Sequence, residues 1–170
     1  MAGWPPGRAA VDGLVAGAVA GVVSGLPSTV LAARRRTDLL EATRAAGTLL
    51  GRPTLWRGAV AHGVLSLGWG VALSVVWPGR AIRAAGASSA REMVMGAVAG
   101  AAIAALDLEL VGRRLPAVRA LPAGPQWLDH LAYGAVVGMV LGARATSGPT
   151  GLRQSGPLDR CCFSRAGTTN

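Results

Sequence analysis

Lysine is missing altogether. All 17 basic residues are arginine, set against 8 acidic ones, for a net charge of +9. Aromatic residues are scarce, with one Phe and one Tyr beside five Trp, and only 15% of the 170 residues are charged. An average soluble domain carries roughly 25% charge. So little polarity excludes a mostly disordered chain and argues against an ordinary water-soluble domain. The two cysteines, Cys161 and Cys162, are adjacent. Neighbouring cysteines rarely meet disulfide geometry without strain, and this is not a metal-binding spacing. We read them as incidental thiols of a polar tail. An arginine excess would suit nucleic acid, but these arginines fall in the gaps between apolar stretches, as anchors against anionic headgroups do. The expected partner is the lipid bilayer, with no nucleic acid. The missing lysine fits the codon usage of a GC-rich genome.

What the chain has in quantity is apolar residues and glycine: 51% hydrophobic, mean hydropathy +0.43, and 25 Gly. Four stretches read as membrane spans: 13–33, 58–77, 93–112 and 127–143. At 1.5 Å per residue, about 20 residues cover the ~30 Å hydrocarbon core. The second carries no formal charge apart from His62; the third contains Asp107 and Glu109; the fourth opens with Asp129 and His130. The expected fold is all-α, a transmembrane four-helix bundle over 1–144, followed by a disordered polar tail over 145–170. A single Arg8 and an apolar run longer than the usual ~7–15 residues favour a retained first span over a cleaved signal.

The connections carry their own signals. Asp38 stands three residues before Glu41, and Ser89 three before Glu92, both capping signatures. Leu39, Leu40, Ala46, Leu49 and Leu50 suit a short helix on the membrane surface, ended by Pro53. Pro116, Pro122 and Pro125 make the third connection extended. Trp4, Trp56, Trp77 and Trp127 flank spans, where indole prefers the headgroup level. Arginines divide almost evenly between the two sides, tilting slightly toward both termini outside.

An internal duplication is legible. Gly17-Ala18-Val19-Ala20-Gly21 recurs as Gly96-Ala97-Val98-Ala99-Gly100, a shift of 79 that also places Ser28 on Asp107. His62, Ser66, Gly70 and Ser74 match His130, Gly134, Gly138 and Gly142 at a shift of 68. We expect two helical hairpins in the same orientation, related by an axis along the membrane normal. Gly13, Gly17, Gly21 and Gly25, with Gly96, Gly100, Gly134 and Gly138, supply the helix-packing faces, because membrane helices associate by close contact and small residues permit it. The same faces are available for a homo-oligomer or a membrane-protein partner. Pro27 should kink the first span and free the Val23 carbonyl, with Ser24 or Ser28 compensating.

Polar groups within the spans gather at one depth. Each hairpin sets the end of one span beside the start of the next, so Ser28 and Thr29 meet His62 and Ser66, and Asp107 meets Asp129, His130 and Tyr133. Intramembrane ionisable groups are costly and usually face the bundle interior. Two His and a carboxylate could pass protons or bind a transition metal. The reading we take first is structural, with Asp107 bonding His130 and Ser28 bonding His62 to cement each hairpin. Glu109 is rotated away from Asp107 and either reaches the interface or pairs with Arg113. No nucleophile, phosphate-loop or metal motif is present in the sequence, so no enzymatic activity, cofactor or metal is expected.

The segments Gly25-Leu26-Pro27-Ser28-Thr29-Val30-Leu31-Ala32, Ala61-His62-Gly63-Val64-Leu65-Ser66-Leu67-Gly68-Trp69-Gly70 and Leu128-Asp129-His130-Leu131-Ala132-Tyr133-Gly134 together resemble small four-span integral membrane proteins of actinobacteria. The resemblance covers residues 11–144. It implies the bacterial cytoplasmic membrane and carries no established activity with it. The expected function is therefore a structural or partner-binding membrane module, with a small transporter or proton/ion conduit using the His/Asp layer as the alternative.

Overall fold

The computed structural model describes residues 6–77 and 88–146. All regular structure among them is helical. Helix α1, Pro6–Val23, is followed by a two-residue break and α2, Leu26–Arg35. Pro27 has no N–H to donate, so it is accommodated in the first turn of a new helix instead of inside the old one. Arg34 and Arg35 close α2, where cations favour the helix C-terminus, and Arg36 caps it at φ 55°. A short α3, Glu41–Ala46, runs into a 3-10 turn, Gly47–Leu50, that Gly51 terminates at φ 94°. Next come α4, Leu55–Val76, and α5, Ser89–Ala104. The latter continues without a stop into a π-helical segment, Ala105–Val111, and a 3-10 turn, Gly112–Arg114. A one-turn α6, Pro116–Arg119, leads to α7, Ala123–Thr146.

The helices pack as α1 on α4 and α5 on α7, while α7 also lies against α1 and α2 and so joins the two pairs. The buried core is small: Ala16, Ala20, Ile103, Tyr133, Val137 and Leu141, with Trp69, Leu73 and Trp77 against it. Glycine makes the two pairings possible. A Cβ on Gly13 would stand 2.6 Å from the Val71 Cα, and one on Gly70 would stand 2.7 Å from the Gly17 Cα. In the other pair, a Cβ on Gly134 would stand 2.7 Å from the Gly100 Cα, and one on Gly96 would stand 3.0 Å from the Gly138 Cα. Real side chains do not fit at such distances, so Gly13, Gly17, Gly70, Gly96, Gly100, Gly134 and Gly138 are where backbones touch. Adding 79 to the α1 numbers and 68 to the α4 numbers converts one contact set into the other. Gly17 on Ser66 becomes Gly96 on Gly134; Gly21 on His62 becomes Gly100 on His130; Gly13 on Ser74 becomes Glu92 on Gly142.

Among the described residues, three helical stretches are long and apolar enough to cross a membrane by length and composition: Gly7–Arg35, Leu55–Val76 and Ser89–Arg114. Their outward faces carry exposed valines, among them Val22, Val64, Val75 and Val98, the surface a hydrocarbon solvent requires. The fourth expected span corresponds to α7, which is not among the three. It is the helix most enclosed by its neighbours, and from Asp129 to Ala145 only Met139 and Ala143 are exposed. A helix facing protein on most sides needs less hydrophobicity than one facing lipid.

Several sequence expectations are corrected. The first helix begins at Pro6, ahead of the charge-free stretch 13–33, and the polar Asp12 is buried within it. Gly25 is no packing glycine: a Cβ there would meet nothing within 4 Å, because it sits in the α1–α2 break, where the helix has turned away from α4. The third connection is not extended, since Pro116 starts a helical turn, where proline's fixed φ is an advantage. Ser88, not Ser89, occupies the N-cap of α5, and it makes no side-chain capping bond. The hydrogen bond expected between Ser28 and His62 is not formed; each bonds elsewhere, as described below. Trp4 and nearly all of the polar tail lie outside the described residues.

Candidate functional site

At the break in the first hairpin, side chains bond backbone carbonyls. The Gly21 carbonyl, at the end of α1, meets His62 Nε2 at 2.9 Å. The Gly25 carbonyl accepts the Thr29 N–H at 3.1 Å and also receives Ser28 Oγ at 3.2 Å and Thr29 Oγ1 at 2.7 Å. Ser28 therefore bonds Gly25 and not the Val23 carbonyl expected of it. At the other side of the break the first N–H groups of α2 are unpaired by rule. That of Ser28 is taken by Asp129 Oδ1 of α7 at 3.0 Å, a cap delivered from 101 residues away.

The second hairpin breaks at the equivalent place. Leu26, where α2 starts, shifts by 79 onto Ala105, where the π-helical segment starts. A π-helical insertion interrupts helix regularity and is frequent at functional sites. Here it carries Asp107, whose Oδ2 lies 3.4 Å from His130 Nε2. His130 Nδ1 is 2.8 Å from the Gln126 carbonyl, so Nδ1 must carry a hydrogen and donate it. Nε2 then faces a carboxylate oxygen. The imidazole and the carboxylate form one polar pair that joins α7 to the π-helical segment. Tyr133 donates its hydroxyl to the Ser66 carbonyl at 2.5 Å, tying α7 to α4 across the two hairpins. Glu109 points away and binds Arg113 Nη2 at 2.6 Å.

These groups surround one cavity of about 300 Å³. All six residues expected to form the polar layer line it: Ser28, His62, Asp107, Asp129, His130 and Tyr133. Both connecting segments wall it with apolar side chains, Leu39 and Leu49 from the first and Leu115, Val118 and Leu121 from the second. Trp69 of α4 completes the apolar lining. Sequence reading placed the first connection on the membrane surface but not over a cavity, because nothing in its spacing fixes how it folds back.

At the far end of the bundle lie two buried carboxylates, Asp12 and Glu92, each 2% exposed. Asp12 Oδ1 receives Arg144 Nε at 2.5 Å, linking α1 to α7, and Arg8 Nε lies 3.7 Å from Oδ2. Glu92 fills the space over Gly142. Both were missed, Asp12 because it was set outside the first span and Glu92 because it was read as a cap. The shift of 79 that carries Gly13 onto Glu92 was the available signal. No group of three or more potential metal ligands occurs among the described residues.

Searches against protein-family models, curated proteins and solved structures find no match.

Proposed function

We propose that the chain is a multi-pass protein of the bacterial cytoplasmic membrane, a four-helix bundle of two duplicated hairpins standing in the same orientation. It binds a small molecule in the cavity between them and does no enzymatic chemistry. The equivalent glycine registers of α1–α4 and α5–α7 support the duplication. The observation that carries the binding reading is the convergence of Ser28, His62, Asp107, Asp129, His130 and Tyr133 on one cavity. About 300 Å³ is the lower end of the size range of small-molecule sites. Such sites combine apolar walls with a few convergent polar groups, and broken helices are how membrane proteins bring backbone and side-chain polarity to a mid-bundle site. Gly13, Gly17, Gly96 and Gly100 are occupied by α4 and α7 within the chain, which argues for folded hairpins over self-association through those faces.

The test is a thermal-shift screen of cationic, neutral and anionic fragments on the full chain in detergent. At least one class should raise Tm saturably, and Ala42→Trp, on the cavity wall, should abolish the effect. Absence of any saturable ligand, or ligands indifferent to Ala42→Trp, refutes the reading.

A proton conduit is the second reading, favoured by the contact of His130 Nε2 with Asp107 Oδ2 at 3.4 Å. Proton flux into liposomes that vanishes in His130→Gln with assembly intact would select it.

A further inference from the structure

The charge around the cavity has one sign. Two carboxylates, Asp107 and Asp129, line it, and no arginine does so among the described residues. Three arginines of the neighbouring segments are engaged elsewhere. Arg44 binds the Asp38 carboxylate, Arg57 Nη1 donates to the Leu50 carbonyl at 2.6 Å, and Arg113 binds Glu109. This matters because the chain as a whole is strongly basic, at +9. The cavity is thus an acidic exception in a cationic protein.

The pairing within the lining singles out one of the two carboxylates. Asp107 Oδ2 faces His130 Nε2 at 3.4 Å, and His62 Nε2 is turned to the Gly21 carbonyl at 2.9 Å. Asp129 remains, accepting the Ser28 N–H at the start of α2 and making no ion pair among the described residues. It is set among leucine, valine and aromatic side chains, where charge interactions are stronger than in water. Trp69 and Tyr133 add ring faces, which attract cations.

Resting on the ligand-binding reading above, we infer that the cavity takes a small monovalent organic cation with an apolar body, an alkyl- or arylammonium. The cationic head neutralises Asp129, and the apolar body lies against Leu39, Leu65, Leu108 and Val111. An anion meets no arginine there and is repelled. A neutral molecule of the same shape gains the apolar contacts without the charge.

Three probes of matched size separate these cases on the full chain in detergent, each referenced to protein-free micelles: benzyltrimethylammonium, its neutral carbon isostere neopentylbenzene, and benzenesulfonate. The cation should bind saturably and at least tenfold more tightly than either of the others. Asp129→Asn keeps an oxygen for the Ser28 N–H while removing the charge, so it should weaken the cation at least tenfold and leave the circular dichroism unchanged. A preference below tenfold, or one that survives in folded Asp129→Asn, overturns the cation class and leaves the cavity reading standing. No saturable binding by any of the three overturns both. Should Asp129→Asn not fold, the three-probe comparison on the parent chain decides alone.

Discussion

The carboxylate of Asp129, on the last helix, caps the backbone of Ser28, near the start of the helix that follows the Pro27 break. A broken membrane helix exposes N–H groups that neither water nor lipid can satisfy. The donor here is satisfied by the partner hairpin, so the break is stable only when both hairpins are docked. Asp129→Ala should lose about 1 kcal/mol of stability, the usual worth of an N-cap, while Asp129→Asn should lose less than half of that. Unfolding titrations in mixed micelles check the order. Equal loss in the two variants would remove the capping role.

Tyr133 makes the second tie between the hairpins, through the Ser66 carbonyl at 2.5 Å. That carbonyl lies within α4 and has a helical partner of its own. Tyr133→Phe keeps the ring and removes only the hydroxyl. The expected cost is about 0.6 kcal/mol, the average for interhelical hydrogen bonds in membranes. Tyr133→Ala also deletes buried ring area and should cost about 3 kcal/mol or more. The same titration reads both, and a Phe variant as damaged as the Ala variant would show that the hydroxyl, not the ring, carries the contact.

How much of this was legible follows from which residues are constrained locally. The helices were readable because apolar length and glycine spacing are properties of each segment alone. The glycine contacts were readable because two independent shifts, 79 and 68, must agree on one register, and between the packed helices they do. The polar residues around the cavity were readable by depth, since a hairpin fixes depth whatever its rotation. Their partners were not. Ser28 was assigned to His62 of its own hairpin, yet its N–H bonds Asp129 of the other, because only docking of the two hairpins decides that pairing. The π-helical segment was hidden for a related reason: Ala105–Val111 contains nothing that breaks an α-helix, and it departs from one only where Asp107 meets His130.

Glycines divide by what faces them. At Gly134 a Cβ would press on the Gly100 Cα at 2.7 Å, and backbone cannot yield as a side-chain tip does. Gly134→Ala should therefore force α5 and α7 apart, at a cost in the range of about 1–3 kcal/mol typical of overpacking. Gly63, also mid-helix, has nothing within 4 Å of its Cβ position. Gly63→Ala should be neutral or slightly stabilising, since alanine loses less backbone freedom than glycine in a helix. Thermal denaturation of the two variants side by side checks the contrast. A reversal of the order would mean that the α5–α7 contact is not the one described.

At the end of the bundle away from the cavity, Asp12 and Arg144 join the first helix to the last. Asp12 is almost wholly buried, whereas the Arg144 side chain is 37% exposed, so the two partners are not equivalent. Removing Arg144 leaves a buried carboxylate with Arg8 beside it at 3.7 Å. Removing Asp12 leaves an arginine that can swing outward. Arg144→Ala should thus destabilise more than Asp12→Asn, by about 1–3 kcal/mol against about 1 kcal/mol, the scale of a charge-assisted hydrogen bond against a neutral one. The double variant Asp12→Asn/Arg144→Ala should recover most of the difference, because no buried charge is then left unpaired. A double-mutant cycle in mixed micelles measures the coupling, and strictly additive losses would show that the two side chains do not stabilise one another.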